Sequence, residues 1–329
     1  MNLASRLAPV VRHLLAGGLL AAVVQAAGWE KRAPLPEPAG GFAAGAIQGR
    51  IVTLGGVTWR GDTKVWLDRI WSYDPAANTW TDQGRFEAPL GYPVIGYDRD
   101  AFWIAGGSSG PASHRALWRI DASRRPRRVA ELDRPFVIAA GARLGESLYV
   151  VGGTDDQAQT DHLTNAAYAI DLRSGRTTRL PDYPEAGLIT GTAAAARGMV
   201  CVFGGARWDA AAKGVVNHAT AHAYLPREQR WQALPPLPYP VRGLAAVALD
   251  DRFILVAGGY RTAEIGFVTD ALRFDAQTKT YAPAPPLPYA AMVTLVADGE
   301  WVYCLGGEDR MRHRTDAVYR IRKAELLPR

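Results

Sequence analysis

The residues best suited to chemistry lie close together near the C-terminus of this 329-residue chain. Positions 308–316 contain three carboxylates, three arginines and one histidine, with Glu308 first and Arg314 near the end. A carboxylate can move a proton to or from a reacting group, and an arginine can bind a carboxylate through two parallel hydrogen bonds. The segment is therefore our first candidate for acid–base chemistry on an anionic substrate. A solvated loop with local ion pairs would have the same composition.

Other chemical motifs are weaker. His218 and His222 have the spacing of a helical zinc motif, but they lie in or beside a predicted strand, where residues four apart do not converge on one ion. We interpret both as ordinary structural residues. The sequence contains no nucleophile elbow, phosphate-binding glycine loop or Cys-x-x-Cys pair. We expect neither a metal nor an organic cofactor.

Six Gly-Gly pairs divide the chain at nearly regular intervals. Their separations are 51, 46, 52, 54 and 48 residues, and each pair ends a short apolar run such as RIVTLGG or WVYCLGG. A period near fifty residues indicates one supersecondary unit repeated six times. Each unit reads as four strands, because its β-branched and aromatic runs are bounded by Gly and Pro. The pairs begin at Gly55, Gly106, Gly152, Gly204, Gly258 and Gly306.

The repeat resembles the Kelch motif, in which a Gly pair is followed by a Tyr and then a Trp. The pattern is complete in two units, at Gly55, Tyr73 and Trp80 and at Gly204, Tyr224 and Trp231. The resemblance covers nearly the whole chain. It implies an all-β fold, a six-bladed Kelch β-propeller with four antiparallel strands per blade. Residues 29–32 are expected to supply the outer strand of the last blade, and the tail 324–328 is the alternative.

The first 27 residues have the pattern of a secretory signal peptide. Arg6 and Arg12 precede an apolar stretch over 14–27 with small residues near its end. We predict a signal peptide over 1–27, a single propeller domain over 28–329, and a periplasmic or secreted protein with no membrane contact after cleavage. An uncleaved anchor helix is the alternative. The formal net charge of +6 is too small and dispersed to indicate nucleic acid.

Strand order predicts which loops lie together. In an antiparallel four-stranded blade, the loop after strand two and the loop entering the next blade leave the sheet at the same end. Both sets should therefore surround one mouth of the central channel, and functional residues concentrate in such loops. On this face we expect Arg60, Arg207 and Arg242 to bind substrate beside Glu308 and Arg314.

Residues 307–316, GEDRMRHRTD, resemble the Gly-Glu…Arg-Thr motif of secreted Kelch mutarotases that act on N-acetylneuraminate. The resemblance implies that Glu308 is the proton acceptor and matches Arg314 to the arginine before Thr. Mutarotation opens and recloses a pyranose, so a group must move a proton between the anomeric hydroxyl and the ring oxygen. The motif lies in the last repeat here, as in a cyclically permuted branch, rather than mid-chain.

Two classes of function remain open from the sequence. One is a mutarotase or epimerase acting on a sugar acid. The other is a non-catalytic Kelch propeller that binds a glycan or a protein through its loop face, because propellers host many functions. An oxidoreductase of the galactose oxidase type is disfavoured, since the chain shows no evident Tyr-Cys copper site and lacks the additional domains.

Overall fold

The computed structural model describes residues 28–158 and 162–328. The predicted signal peptide, 1–27, lies outside the described residues. The described residues form six four-stranded antiparallel sheets, and the first strands of these sheets contact one another in a closed circle. This arrangement is a propeller whose first strands surround a central channel. The expected all-β fold with six blades of four strands is therefore confirmed.

The strands of each blade run from the channel outward. β1 (Glu30–Lys31) belongs to the last blade. Blade 1 contains β2 (Ala43–Ile47), β3 (Arg50–Leu54), β6 (Arg69–Asp74) and β7 (Thr79–Arg85), with a separate hairpin of β4 (Val57–Arg60) and β5 (Thr63–Trp66). Blade 2 contains β8 (Val94–Tyr97), β9 (Phe102–Ala105), β10 (Ala116–Ile120) and β11 (Arg127–Glu131). Blade 3 contains β12 (Ala140–Leu144), β13 (Ser147–Val151), β14 (Ala167–Asp171) and β15 (Thr177–Leu180). Blade 4 contains β16 (Thr192–Ala196), β17 (Met199–Phe203), β20 (Ala221–Leu225) and β21 (Arg230–Leu234), with a hairpin of β18 (Ala206–Asp209) and β19 (Gly214–Asn217). Blade 5 contains β22 (Ala245–Ala248), β23 (Phe253–Ala257), β24 (Ala271–Asp275) and β25 (Thr280–Pro283). Blade 6 contains β26 (Met292–Asp298), β27 (Trp301–Glu308), β28 (Val318–Arg322) and β1, and α1 (Lys323–Leu326) follows it.

The N-terminal segment closes the ring. β1 pairs antiparallel with β28, and Arg320 Nε donates a hydrogen bond to Glu30 across this pair at 2.8 Å. The C-terminal tail forms the short helix α1 instead of a strand. Of the two segments proposed from the sequence, residues 29–32 therefore supply the outer strand. Among the described residues, no helix has the length and apolarity needed to cross a membrane.

The six Gly pairs hold neighbouring blades together. In every pair the second glycine donates its N–H to a backbone carbonyl at the start of the next blade, at 2.7–3.0 Å. The first glycine has φ between 47° and 71°, and a Cβ on it would lie 2.2–2.8 Å from the same carbonyl oxygen. We call this arrangement the inter-blade clasp. Its acceptors are Leu90, Phe136, Leu188, Val241, Ala291 and Ala39. The interpretation of the pairs as points of close backbone approach is confirmed.

Both cysteines are buried in the interfaces on either side of blade 5. Cys201 of β17 packs between blades 4 and 5, and Cys304 of β27 packs between blades 5 and 6. Burial raises the pKa of each thiol to about 12. They are free core residues that face blade 5 from opposite sides.

The structure departs from the predicted elements after three of the Gly pairs. The hairpins β4–β5 and β18–β19 replace what the sequence predicts as polar loops, because cross-strand pairs such as Trp59 with Lys64 give these segments regular pairing. In blade 6, β27 runs through the Gly pair to Glu308 instead of ending at Leu305. Its partner β26 has a register shift between Met292 and Thr294.

The interface between blades 3 and 4 contains both histidines of the HxxxH sequence. His222 lies in β20 and its ring packs edge-on against Tyr183 at 5.2 Å, whereas His218 precedes the strand and contacts the Thr220 hydroxyl at 2.7 Å. Burial lowers the pKa of both histidines, and Glu185, 4.0 Å from His222, opposes this effect. His218 Nε2 and His222 Nδ1 are buried without hydrogen-bond partners. Both imidazoles are therefore held as neutral packing groups.

The inter-blade clasp predicts a specific cost for Gly55→Ala. The new methyl group would lie 2.2 Å from the Leu90 carbonyl oxygen, so we expect the free energy of unfolding to fall by more than about 2 kcal/mol. Gly49→Ala is the matched control, because Gly49 also has a positive φ of 76° but open space around it. It should cost about 1 kcal/mol. Urea unfolding measures both, and equal losses would contradict the clasp.

The buried histidines predict a loss of stability in mild acid. Their folded pKa values lie below the ordinary value of 6.5, so the unfolded chain binds more protons as the pH falls through that value. The stability that the two neutral histidines contribute is complete above pH 6.5, and it is lost as the pH falls through their pKa values in the folded protein. Between about pH 7.5 and about pH 5.5, a His218→Gln/His222→Gln variant should lose less stability than the wild type in urea melts. The exposed His162 supplies a control, His162→Gln, which should retain the wild-type pH dependence.

Candidate functional site

The loops expected to share one end of the propeller do so. In five blades the residue directly after the Gly pair pairs with a residue of the loop that leads into that blade's first strand, and in blade 6 it pairs with the first residue of that strand. We call these loops the linkers and this end of the propeller the Gly-pair face. The six bridges are Val57 with Gly40, Ser108 with Gly91, Thr154 with Val137, Ala206 with Ile189, Tyr260 with Arg242, and Glu308 with Met292.

Glu308 therefore occupies one of six structurally equivalent positions. In the other five blades this position holds Val57, Ser108, Thr154, Ala206 and Tyr260, all uncharged at neutral pH. Four of these five are buried. The Glu308 side chain is 26% exposed, and its partner Met292 is the first residue of the innermost strand of blade 6. Blade 6 thus carries a carboxylate at the channel end of the Gly-pair face.

Five linkers form a narrow neck in the channel at this level. Each contributes one residue with φ between 52° and 63°, two positions before the innermost strand of its blade. In blades 2 to 5 the backbone N–H of this residue donates to the carbonyl of the preceding blade's residue, at 2.7–3.3 Å. Blade 6 departs from this pattern, because its equivalent residue, Val293, lies at the register shift in β26. Glu308 is therefore beside the break in the neck. The five residues are Gly41, Tyr92, Ile138, Thr190 and Gly243.

Glu308 and Arg314 form a buried ion pair. Arg314 Nη1 lies 3.0 Å from Glu308 Oε2, and it also donates to the His313 carbonyl oxygen at 3.0 Å. The Arg314 side chain is only 5% exposed and packs against Gly40, where a Cβ would lie 3.0 Å from Arg314 Cδ. Arg314 Nε is buried without a hydrogen-bond partner. The closest contact of Arg314 is with Oε2 of Glu308, whose side chain is 26% exposed. The exposed part of this carboxylate is open to a ligand.

The other arginines predicted to bind substrate lie on the Gly-pair face but belong to three separate blades. Arg60 in β4 is exposed and pairs with Glu37 at 2.9 Å. Arg242 donates to Asn217 Oδ1 at 3.1 Å, and its guanidinium lies 4.7 Å from the Tyr260 ring centroid. Arg207 is exposed in β18, close enough to His218 to lower its pKa. Two of the three therefore already have protein partners.

The rest of the segment that follows Glu308 folds over towards blade 1. His313 Nδ1 pairs with Asp309, and Arg310 contacts the other nitrogen of the same ring. Arg312 reaches the blade 1 hairpin, where it pairs with Asp62 at 3.0 Å and lies 5.6 Å from the Trp59 ring centroid. These contacts give the segment a defined shape and bring the hairpin of blade 1 next to the Glu308 site.

A wide cavity of about 930 Å³ occupies the channel on the other side of the neck. Its walls include small first-strand residues, and its rim is formed by turns between first and second strands, at the end opposite the Gly-pair face. Tyr97 crosses this space past Gly45 and accepts a hydrogen bond from the Ala297 N–H at 2.8 Å. Burial raises the pKa of the Tyr97 phenol to about 12. Neither Glu308 nor Arg314 lines the cavity.

Across the described residues, no group of three or more His, Cys, Asp or Glu side chains is arranged to hold a metal ion. The chemistry offered beside Glu308 is proton transfer by a carboxylate and recognition of charge by neighbouring cations. One of these cations is not predicted from the sequence: Lys64, whose ammonium nitrogen lies 4.8 Å from the ring centroids of both Trp66 and Tyr92. The alternation of Trp59, Lys64 and Trp66 around a Gly-Asp turn was the available signal.

Comparison with known proteins agrees with the architecture. A family model described as the Kelch motif matches residues 38–85, which fall in blade 1 and the linker before it. The mouse protein Kelch-like protein 35 is 25% identical over 302 residues, an alignment that covers 85% of this chain and 47% of the relative. The chain thus spans about half the length of the curated relative that it matches. The motif match, the distant relative and the six four-stranded blades agree with the Kelch-like repeat that the sequence predicts.

Proposed function

We propose that this propeller interconverts the anomers of N-acetylneuraminate, or of a related sugar acid, with Glu308 as the group that moves the proton. One observation carries the proposal: Glu308 is a partly exposed carboxylate at a position where the other five blades have uncharged residues. The other five blades fold without a charge at this position, so the fold does not require one there. A carboxylate placed at this position beside the channel is therefore suited to a role in a reaction. The resemblance of residues 307–316 to the mutarotase motif gives the substrate class.

The chemistry needs only proton transfers. Glu308 Oε1 removes the proton from the anomeric hydroxyl, the bond between the anomeric carbon and the ring oxygen breaks, and Glu308 passes the same proton to the ring oxygen. The resulting open-chain ketone rotates about the bond to the former anomeric carbon and closes on its other face with the reverse transfers. The carboxylate is regenerated, so no co-reactant is consumed.

Arg314 has a different role from the one that the sequence first suggests. Its guanidinium is nearly inaccessible and already contacts Glu308 Oε2 and the His313 carbonyl oxygen, so little of it is left to bind a substrate carboxylate. We assign it as a positioning residue that fixes one oxygen of Glu308 and leaves the other free. Arg207, Arg242 and Arg60 lie on the same face in other blades, where they contribute to the charge seen by an anionic substrate.

A non-catalytic binding propeller is the second candidate, and a different observation favours it. The large hydrophobic residues recorded as exposed among the described residues are Val216, Ile265 and Met311. They lie after the Gly pairs of blades 4, 5 and 6, on one side of the Gly-pair face. Exposed apolar side chains on three consecutive blades would supply the apolar contacts of a protein partner bound across this face. The predicted export, to the periplasm or outside the cell, accommodates either candidate and remains part of the proposal.

Proton NMR of freshly dissolved α-N-acetylneuraminate distinguishes the two candidates. We expect the wild-type protein to accelerate appearance of the β anomer and Glu308→Gln to reduce that acceleration by about 100-fold or more, because the amide cannot accept the proton. The matched control is Glu264→Gln, which changes an exposed carboxylate on the same face in blade 5. It should keep wild-type activity. A wild-type rate equal to that of buffer would reject the mutarotase and leave the binding propeller.

The positioning role of Arg314 predicts rescue by a conservative change. Arg314→Met should lower kcat about tenfold or more, because Glu308 loses the contact that orients it, while KM changes little. Arg314→Lys should recover part of kcat by restoring a cation beside Oε2. Thermal melts of both variants show whether the effect is loss of folding. A rise in KM with unchanged kcat would instead make Arg314 a direct substrate ligand.

A further inference from the structure

The blade 1 hairpin presents a cation next to the proposed site. Pairing of Val57 with Trp66 and of Trp59 with Lys64 places these four side chains on one face of the hairpin, because alternate residues of a strand share a face. Val57 also pairs with Gly40, the residue against which Arg314 packs. The hairpin therefore begins at the backbone that contacts Arg314, and Lys64 lies two residue pairs beyond Trp66, on the same face.

Two aromatic rings hold the Lys64 side chain. Its ammonium nitrogen lies 4.8 Å from the centroid of each ring, Trp66 in the same hairpin and Tyr92 in the linker of blade 2. Glycines let the rings approach: a Cβ on Gly41 would lie 2.5 Å from the Tyr92 ring, and one on Gly110 would lie 3.2 Å from Trp66. Two blades thus combine to fix the position of one charge.

Lys64 has no carboxylate partner within the described part of the chain. It forms no ion pair or hydrogen bond with a described residue, whereas its neighbours Arg60, Arg312 and Arg314 pair with Glu37, Asp62 and Glu308 respectively. The faces of aromatic rings stabilise a cation, but they offer no conventional hydrogen-bond acceptor for its N–H groups. A half-buried ammonium held in this way keeps its N–H donors for an anion.

We propose that Lys64 binds the carboxylate of the sugar acid while Glu308 faces its anomeric hydroxyl. This inference rests on the proposed function and makes it more specific: the ligand must carry an acid group, and the lysine of blade 1 recognises it in place of the predicted arginines. In N-acetylneuraminate the carboxylate is attached to the anomeric carbon itself. Recognition of that group therefore fixes the reacting carbon relative to the protein.

The test measures binding of the methyl α-glycoside of N-acetylneuraminate, which cannot open its ring, and of the methyl ester of that glycoside. NMR titration gives the Kd of each ligand. We expect the wild type to bind the acid at least tenfold more tightly than the ester, and Lys64→Met to remove this preference by weakening the acid alone. Lys64→Arg should keep a preference for the acid, because it keeps the cation.

Lys213→Met is the matched control, since Lys213 is an exposed lysine on the hairpin of blade 4 on the same face. It should bind both ligands like the wild type. Equal affinity of the wild type for acid and ester, failure of the wild type to bind the acid, or an unchanged acid Kd in Lys64→Met would each overturn the assignment. Thermal melts confirm that Lys64→Met, which keeps the aliphatic stem between the rings, is folded.

The binding titration and the mutarotation assay can give negative results independently of each other. A wild type that binds the acid through Lys64 but does not accelerate mutarotation would reject the enzyme and keep the anion site. A wild type that accelerates mutarotation, with Lys64→Met unchanged in both KM and glycoside affinity, would reject the anion site and keep the enzyme.

Discussion

The backbone hydrogen bond between the second glycine of each pair and the next blade's linker carbonyl determines the rest of the structure. Each bond is an ordinary amide–carbonyl contact at 2.7–3.0 Å, and its net contribution is modest, about 1 kcal/mol. Its importance lies in where it forms. It brings two blades within backbone contact at the inner end of the sheet, at a distance that a side chain on the first glycine would prevent. Six such bonds set the spacing of the blades around the channel.

This constraint also determines where functional residues can lie. The residue after each pair must bridge to a linker, so its position is the same in all six blades. Chemistry then depends on which side chain stands there and on what the neighbouring blade contributes. In blade 6 the position holds Glu308, and the segment that returns to β28 places Arg314 beneath it against the linker of blade 1. The proposed site is thus built across a blade boundary from a repeated backbone and a few non-repeated residues.

Much of this architecture can be predicted from the sequence, because the clasp requires glycine and the Gly pairs therefore mark the same position in every blade. The period, the four strands of each blade, the closure by residues 29–32 and the shared face of the loops all follow from it. The burial of Arg314 does not, since it depends on the absence of a side chain at Gly40, which is distant in sequence. The hairpin β4–β5 and the environment of Lys64 were missed for a similar reason. Tyr92, one of the two rings around that lysine, belongs to the next blade.

The neck lies between two regions that open at opposite ends of the propeller. Five linker residues joined by backbone hydrogen bonds stand between the Gly-pair face and the 930 Å³ cavity, with the interruption at blade 6. A substrate that binds from the Gly-pair face therefore reaches Glu308 without passing through the cavity. A compound that fills the cavity would leave that route open, and inhibition by such a compound would be non-competitive, transmitted through the strands rather than by steric blocking.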